Sequence, residues 1–196
     1  MKNIEFKARV SGFREVTRLL KRSGAKPEGT VSQQDKYYDC PSGRLKLRVV
    51  DGRDCSLIAY HRPARSGSRT STYTILELDR PLARALAVML ARTLGIRASV
   101  RKTRVVWILA NTRIHLDTVR SLGRFVELET VIRGISPDRA RREHRHVLSL
   151  LCLEGVVPIA GSYGDMVPGV RAPRTRSGLR SKPNATSSGV RVRTRE

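Results

Sequence analysis

Aromatic side chains are scarce in this sequence, with three Phe, five Tyr and one Trp among 196 residues, so a core has to be built from Val, Leu and Ile. Cysteine is equally thin. Cys40, Cys55 and Cys152 form no close pair, and an odd number of separated thiols argues against a disulfide framework or a thiolate zinc site; they read as small apolar residues. No apolar run approaches the roughly 18–20 residues of a membrane-spanning helix. The opening MKNIEFKARV carries charges where a signal peptide would be apolar, so the expectation is a cytoplasmic protein with no membrane partner. Acidic residues are also in short supply, 17 against 39 Lys and Arg, leaving a net charge of +22. Such a chain favours an anionic partner, although charge alone does not rank phosphate esters, nucleic acid and lipid.

The length suits one domain plus an appendage. From Arg171 to Glu196 eight basic residues and one acidic residue lie among Pro, Ser, Gly and Thr, with almost nothing to bury. The expected organisation is a folded domain over 1–170 and a disordered basic tail over 171–196 that supplies weak, sequence-blind polyanion affinity. Residues 1–170 keep a charge of +15 without it.

Strand patterns dominate that domain. Ile4 to Val10 alternates strictly, with Ile4, Phe6, Ala8 and Val10 on one face and Glu5, Lys7 and Arg9 on the other. Arg44 to Val49 and Leu57 to Arg62 flank an Asp51-Gly52 hairpin turn. Tyr73 to Asp79, Val100 to Leu109, Arg113 to Val119 and Phe125 to Ile132 also read as strands. Helices are expected from Phe13 to a stop at Gly24, from Pro81 to Leu94, and from Ser136-Pro137-Asp138 to about Glu154.

A charged face on one strand usually meets water, but five of these strands carry such a row. Carboxylates gather on the first strand and the last two, while the middle rows are basic; a closed barrel would bring them together around one interior. Nine cations (Lys7, Arg9, Arg44, Lys46, Arg48, Arg62, Lys102, Arg104, Arg113) then stand against four carboxylates (Glu5, Asp117, Glu127, Glu129). That balance suits a polyphosphate with a metal, because Lys and Arg hold phosphate oxygens while clustered carboxylates bind hard Mg²⁺ or Mn²⁺. His115 reads as a hydrogen-bonded filler, Tyr37, Tyr38 and Tyr60 as packing at a barrel mouth, and Asp165 as a turn cap.

Seven stretches, NIEFKARV from Asn3, QQDKYY from Gln33, GRLKLR from Gly43, LIAYHRP from Leu57, KTR from Lys102, RIHLDTVRSLGRFVELE from Arg113 and SYGDMV from Ser162, resemble in order those of the CYTH superfamily of triphosphate tunnel enzymes. Within it they are similar to the class IV adenylyl cyclase branch. The resemblance implies an α+β fold: a closed or nearly closed antiparallel barrel of about eight strands, polar inside, with flanking helices. It implies Glu5, Glu127 and Glu129 as holders of Mg²⁺ or Mn²⁺, and Lys7, Lys46, Arg48, Arg62 and Arg113 as triphosphate-binding residues. Asp117, Lys102 and Arg104 would be catalytic, Asp117 as a further ligand or base. Two departures stand out. Asn3 occupies the first position of the usual Glu-x-Glu-x-Lys opening, which removes one ligand, and Arg69 stands where Lys is expected, with a different phosphate geometry.

The same residues fit two reactions: cyclisation of ATP to cyclic AMP and pyrophosphate, or hydrolysis of tripolyphosphate, thiamine triphosphate or a nucleoside triphosphate. A non-catalytic nucleic-acid-binding module would explain the basic residues but not the carboxylates. A homodimer is compatible with either enzyme.

Overall fold

In the computed structural model, which describes residues 2–61 and 69–167, eight strands close into one antiparallel barrel. They are β1 (Lys2–Val10), β2 (Lys26–Tyr38), β3 (Arg44–Val50), β4 (Asp54–His61), β5 (Arg69–Leu78), β6 (Ile96–Leu109), β7 (Thr112–Val119) and β8 (Gly123–Val131). Around the barrel the order is β1-β5-β4-β3-β2-β6-β7-β8, with β8 pairing back onto β1. Closure leaves no free sheet edge. It is the expected α+β architecture, and the register Lys7↔Glu127, Glu5↔Glu129 and Arg104↔Asp117 puts the charged rows on one common face.

The elements form where local chemistry asks for them. Asp51 and Gly52 both adopt positive φ, 47° and 69°, the backbone that matches the twist of a tight β3–β4 hairpin. The helix α2 (Arg80–Thr93) starts at Asp79, whose carboxylate accepts the Leu82 N–H at 2.7 Å. Ser136 caps α3 (Pro137–Leu150) in the same way, accepting from Arg139 N at 3.2 Å. That helix stops four residues before the expected Glu154, because Cys152 turns out of the helix at φ 54°. Strand β2, absent from the sequence expectation, is the longest departure: it contains Pro27 and Gly29, shifts register there, and has few apolar residues to reveal a period.

The outward side chains build two dry layers. Phe6, Ala8, Trp107, Ile114, Val126 and Leu128 pack beneath α1 (Arg14–Arg22) and α3. Leu47, Cys55 and Leu78 pack beneath α2. A third cluster, with Tyr37, Val100, Val119, Phe125 and Tyr163, joins one end of the barrel to the short helix α4 (Tyr163–Met166). Among the described residues no helix is long and apolar enough to cross a membrane. The proposed tail, Arg62 and the side chain of Arg69 lie outside what is described.

Candidate active site

The barrel interior encloses a cavity of about 380 Å³, within the roughly 300–1,000 Å³ usual for small-molecule sites. Interiors of eight-stranded barrels are ordinarily filled by apolar side chains; here Glu5, Lys7, Lys46, Arg48, Lys102, Arg104, Arg113, Glu127 and Glu129 all line one space, so the structure brings these sequence-selected residues together.

Two Lys-x-Arg pairs organise the walls. On β6, Lys102 Nζ donates to Asp117 Oδ2 at 3.0 Å, and Arg104 grips both oxygens of Asp117 at 2.7 Å. On β3, Arg48 grips both oxygens of Asp35 at 2.8 and 2.9 Å, and Lys46 Nζ donates to Asp35 Oδ2 at 3.3 Å. Asp35, on the unforeseen β2, was not among the sequence candidates. Burial opposes charge on both aspartates, but the flanking cations outweigh it and hold both carboxyls below their usual range. Burial, helped by the neighbouring arginine, lowers Lys102 to about 7 and Lys46 to about 8.

Asp117 does not face the cavity. It is wholly buried behind the wall and accepts from Lys102, twice from Arg104, and from Tyr163 Oη at 2.8 Å. With its oxygens so occupied and its proton affinity lowered, it is poorly placed as metal ligand or base, and it instead fixes Lys102 and Arg104. Glu127 is also committed, to Lys7 at 3.2 Å and Arg104 at 2.5 Å. His115, set aside in the sequence reading, lines the cavity; its Nδ1 has no hydrogen-bond partner and lies 3.8 Å from Glu127 Oε2. Burial and then Arg104 depress its pKa.

Glu5 and Glu129 stand directly opposite each other across β1 and β8, with Arg113 pairing with Glu129 at 3.8 Å. Asn3 donates its amide N–H to Glu129, while its buried Oδ1 has no hydrogen-bond partner. Gln33 Oε1 is a second such buried oxygen on the wall. Among the described residues no three His, Cys, Asp or Glu side chains gather as a metal cage. Mg²⁺ seldom uses one, taking one or two carboxylates and completing its shell with water and substrate phosphates. Two carboxylates and an amide oxygen fit such an ion.

Position along the barrel corrects two expectations. Arg9 donates to the Leu122 carbonyl and lies over the Phe125 ring at 4.8 Å, and Arg44 pairs with Asp165 at 2.9 Å; neither lines the cavity. Six described cations therefore face five carboxylates, Asp35 and Asp117 included, rather than nine facing four. Asp165 is more than a turn cap: it completes a capping box with Ser162 and also pairs with Arg97 at 2.9 Å. It thereby pins α4 so that Tyr163 sits beneath Lys7, 4.0 Å from the ring centroid to Nζ, and reaches Asp117. Gly164 is required there, since a Cβ would meet the Tyr37 ring at 2.7 Å.

Strands β4 and β5 differ from the rest of the wall. Their described contributions to the cavity are Ile58, Tyr60, Tyr73 and Ile75, with the two tyrosine rings 5.8 Å apart. Tyr37 and Tyr60 also line the cavity, with Lys46 Nζ 5.6 and 5.7 Å from their centroids.

A closed barrel with cations and carboxylates on its inner face defines the triphosphate-tunnel class. The CYTH domain matches residues 1–145, and the chain belongs to that family, whose members generally act on triphosphates and typically use divalent metal ions. No curated protein matches the sequence. Among solved structures, the chain is similar to the PH1012 protein of Pyrococcus horikoshii at 21% identity and TM-score 0.72, covering 85% of this chain and 99% of that one. A Vibrio parahaemolyticus protein provisionally named an adenylate cyclase matches at 16% identity and TM-score 0.65, over 84% and 96%. A Bacillus halodurans protein named in the same way matches at 17% and 0.56, over 81% and 94%. At such identities the likeness shows the fold.

Proposed function

We propose that the protein is a divalent-metal-dependent enzyme of the class IV adenylyl cyclase type, converting ATP to cyclic AMP and pyrophosphate in the barrel. The observation that carries this reading is the division of the described cavity lining into a charged wall and, on β4 and β5, a stretch formed by Ile58, Tyr60, Tyr73 and Ile75. Inorganic tripolyphosphate has no use for that stretch; a nucleotide does, because a base stacks on aromatic rings.

In this reading Lys7, Lys46, Arg48 and Arg113 bind the phosphate chain, joined by Arg62. Lys102 and Arg104, held in place by Asp117, neutralise the oxygens that gain charge as the bond from the α-phosphorus to the bridging oxygen breaks. The ribose 3′-oxygen forms the new bond to that phosphorus and loses its proton. His115, which lines the cavity and is kept neutral by burial and Arg104, is the acceptor we assign. Mg²⁺ or Mn²⁺, held by Glu5 and Glu129 with Asn3 and Glu127 beside them, would supply Lewis-acid neutralisation of phosphate charge.

The test is to incubate the protein with ATP, thiamine triphosphate and tripolyphosphate plus Mg²⁺ or Mn²⁺ and identify products. Cyclic AMP with pyrophosphate is expected from ATP; release of orthophosphate from all three would establish the triphosphatase reading instead. Replacing Glu5 and Glu129 together by Gln should lower turnover by orders of magnitude with the fold kept.

A further inference from the structure

We propose that the outer face formed by α1 and α3 is a docking surface for nucleic acid, gripping the phosphate backbone without reading sequence. Both helices pack on the same side of the barrel, in one hydrophobic cluster. Their inward faces are spent on that packing, through Val16 and Leu20 on α1 and Ala140, His144, Val147 and Leu148 on α3. Their outward faces carry Arg14, Lys21, Arg22, Arg139, Arg142 and Arg145, all exposed and with no side-chain hydrogen bond or ion pair to a described residue.

The acids on these helices do not balance that charge. Glu15 and Asp138 are taken by Arg18 and Arg141 one turn away. Glu143 turns inward, where it accepts from Asn111 N at 2.8 Å and Thr112 Oγ1 at 2.7 Å and ties α3 to the barrel. Inside the barrel the Lys-x-Arg pairs each face a carboxylate; on this surface the charge is left open.

Chemistry separates the anionic partners. A helix lying on a membrane needs large apolar side chains beside its basic ones, and the exposed large apolar residues belong to β5, α2 and Val157, with none on α1 or α3. A small phosphate ester needs a concave site, whereas these side chains stand on the convex outside of two helices. Separated, solvated cations suit an extended polyanion, whose binding is driven by counterion release.

The experiment measures binding of full-length protein to a short fluorescent DNA duplex across a salt series, with thermal unfolding as the check on folding. Replacing all six residues by Gln should lower affinity at least about 10²-fold at 0.1 M salt and flatten the slope of log K against log salt by about 3 to 5. If that variant does not fold, Arg139→Gln, Arg142→Gln and Arg145→Gln together should give about half the change in slope. Arg80→Gln, Arg84→Gln and Arg92→Gln on α2, together, should leave slope and affinity near those of the parent. An unchanged slope in the six-residue variant overturns the proposal, as does an equal loss from the α2 variant. So does tighter binding to phosphatidylserine vesicles than to the duplex that is lost with the same six residues.

Discussion

The two Lys-x-Arg pairs share one design, a lysine and a bidentate arginine on a strand closing on an aspartate from the neighbouring strand, yet they sit in different surroundings. Around Asp117, the side chains of Lys102 and Arg104 are 2% and 8% exposed; around Asp35, those of Lys46 and Arg48 are 12% and 20%. The β6 pair is further tied to Glu127 and, through Asp117, to Tyr163. Among the described residues the β3 pair shows no such second layer. Identical local sequence chemistry thus gives a rigid, desolvated cation pair on one wall and a more accessible one on the other. Preorganised charge in a dry site is what stabilises a transition state, so the β6 pair fits the chemical step and the β3 pair the capture of phosphate.

Removing the arginine of each pair tests that contrast most strongly. Arg104→Ala leaves buried Asp117 with Lys102 and Tyr163 and half-buried Glu127 with Lys7, and removing the arginine that bridges both carboxylates costs about 3–5 kcal/mol. Arg48→Ala leaves Asp35 with Lys46 at a wetter position, and about 1.5–3 kcal/mol is expected from its charged hydrogen bonds. Urea unfolding of both variants checks the order. Equal losses would show that burial does not distinguish the pairs.

The lysines offer the next test. In the free protein, Lys102 is lowered to about 7 and Lys46 to about 8, while bound triphosphate favours their charged forms. Affinity should therefore weaken with pH, the slope of log Kd approaching one between pH 7 and 8 and two above pH 8. Lys102→Met should abolish the lower step and Lys46→Met the upper. Stability runs the other way: above about pH 7 the unfolded chain, with ordinary lysines, binds more protons than the folded one, so the contribution of these lysines rises with pH. Calorimetric titration with tripolyphosphate separates the two trends, and a flat affinity from pH 7 to 9 would sink the assignment.

Much of this site is legible in the chain itself. Glu5, Lys7, Lys46, Arg48, Lys102, Arg104, Glu127 and Glu129 could be read as one lining because alternation fixes which face a strand residue occupies. Alternation does not say where along the strand the cavity ends, which is why Arg9 and Arg44 were placed inside. Asp35 was missed because β2 has no apolar period to announce it; the Gln33-to-Tyr38 stretch was visible as a motif but not as a strand. Asp117 was given an active role because its identity is visible in the sequence and its four donors are not. Tyr163 comes from a segment remote in sequence, and only the folded chain shows it beneath Lys7.

Tyr163 makes the difference between the pairs directly testable. Tyr163→Phe keeps the ring that Lys7 and Lys102 approach and removes the hydroxyl that donates to Asp117. A hydrogen bond to a buried charge contributes about 1.5–3 kcal/mol. Stability should fall by that amount, and kcat should fall more than KM rises if Asp117 serves to hold the catalytic cations. A variant that alters KM alone would move Tyr163 from positioning to substrate binding.

The smallest effect is expected one step further out, at Asp165. Its carboxylate holds α4 by accepting from Ser162 N at 2.8 Å and Ser162 Oγ at 2.9 Å, and by pairing with Arg44 and Arg97. Asp165→Asn keeps an oxygen for the capping bonds and loses the charge. Arg97 is half exposed, so solvent screening limits the ion pairs to about 0.5–1 kcal/mol together. What Asp165 does for the site it does through Tyr163, because α4 carries both. The variant should therefore lower kcat modestly in the parent and have little further effect on kcat in Tyr163→Phe, a coupling of about 0.5 kcal/mol or more in a double-mutant cycle. Strict additivity would mean that α4 is not a single rigid support, and the second layer that distinguishes the β6 pair would then reduce to the Tyr163 hydroxyl and Glu127.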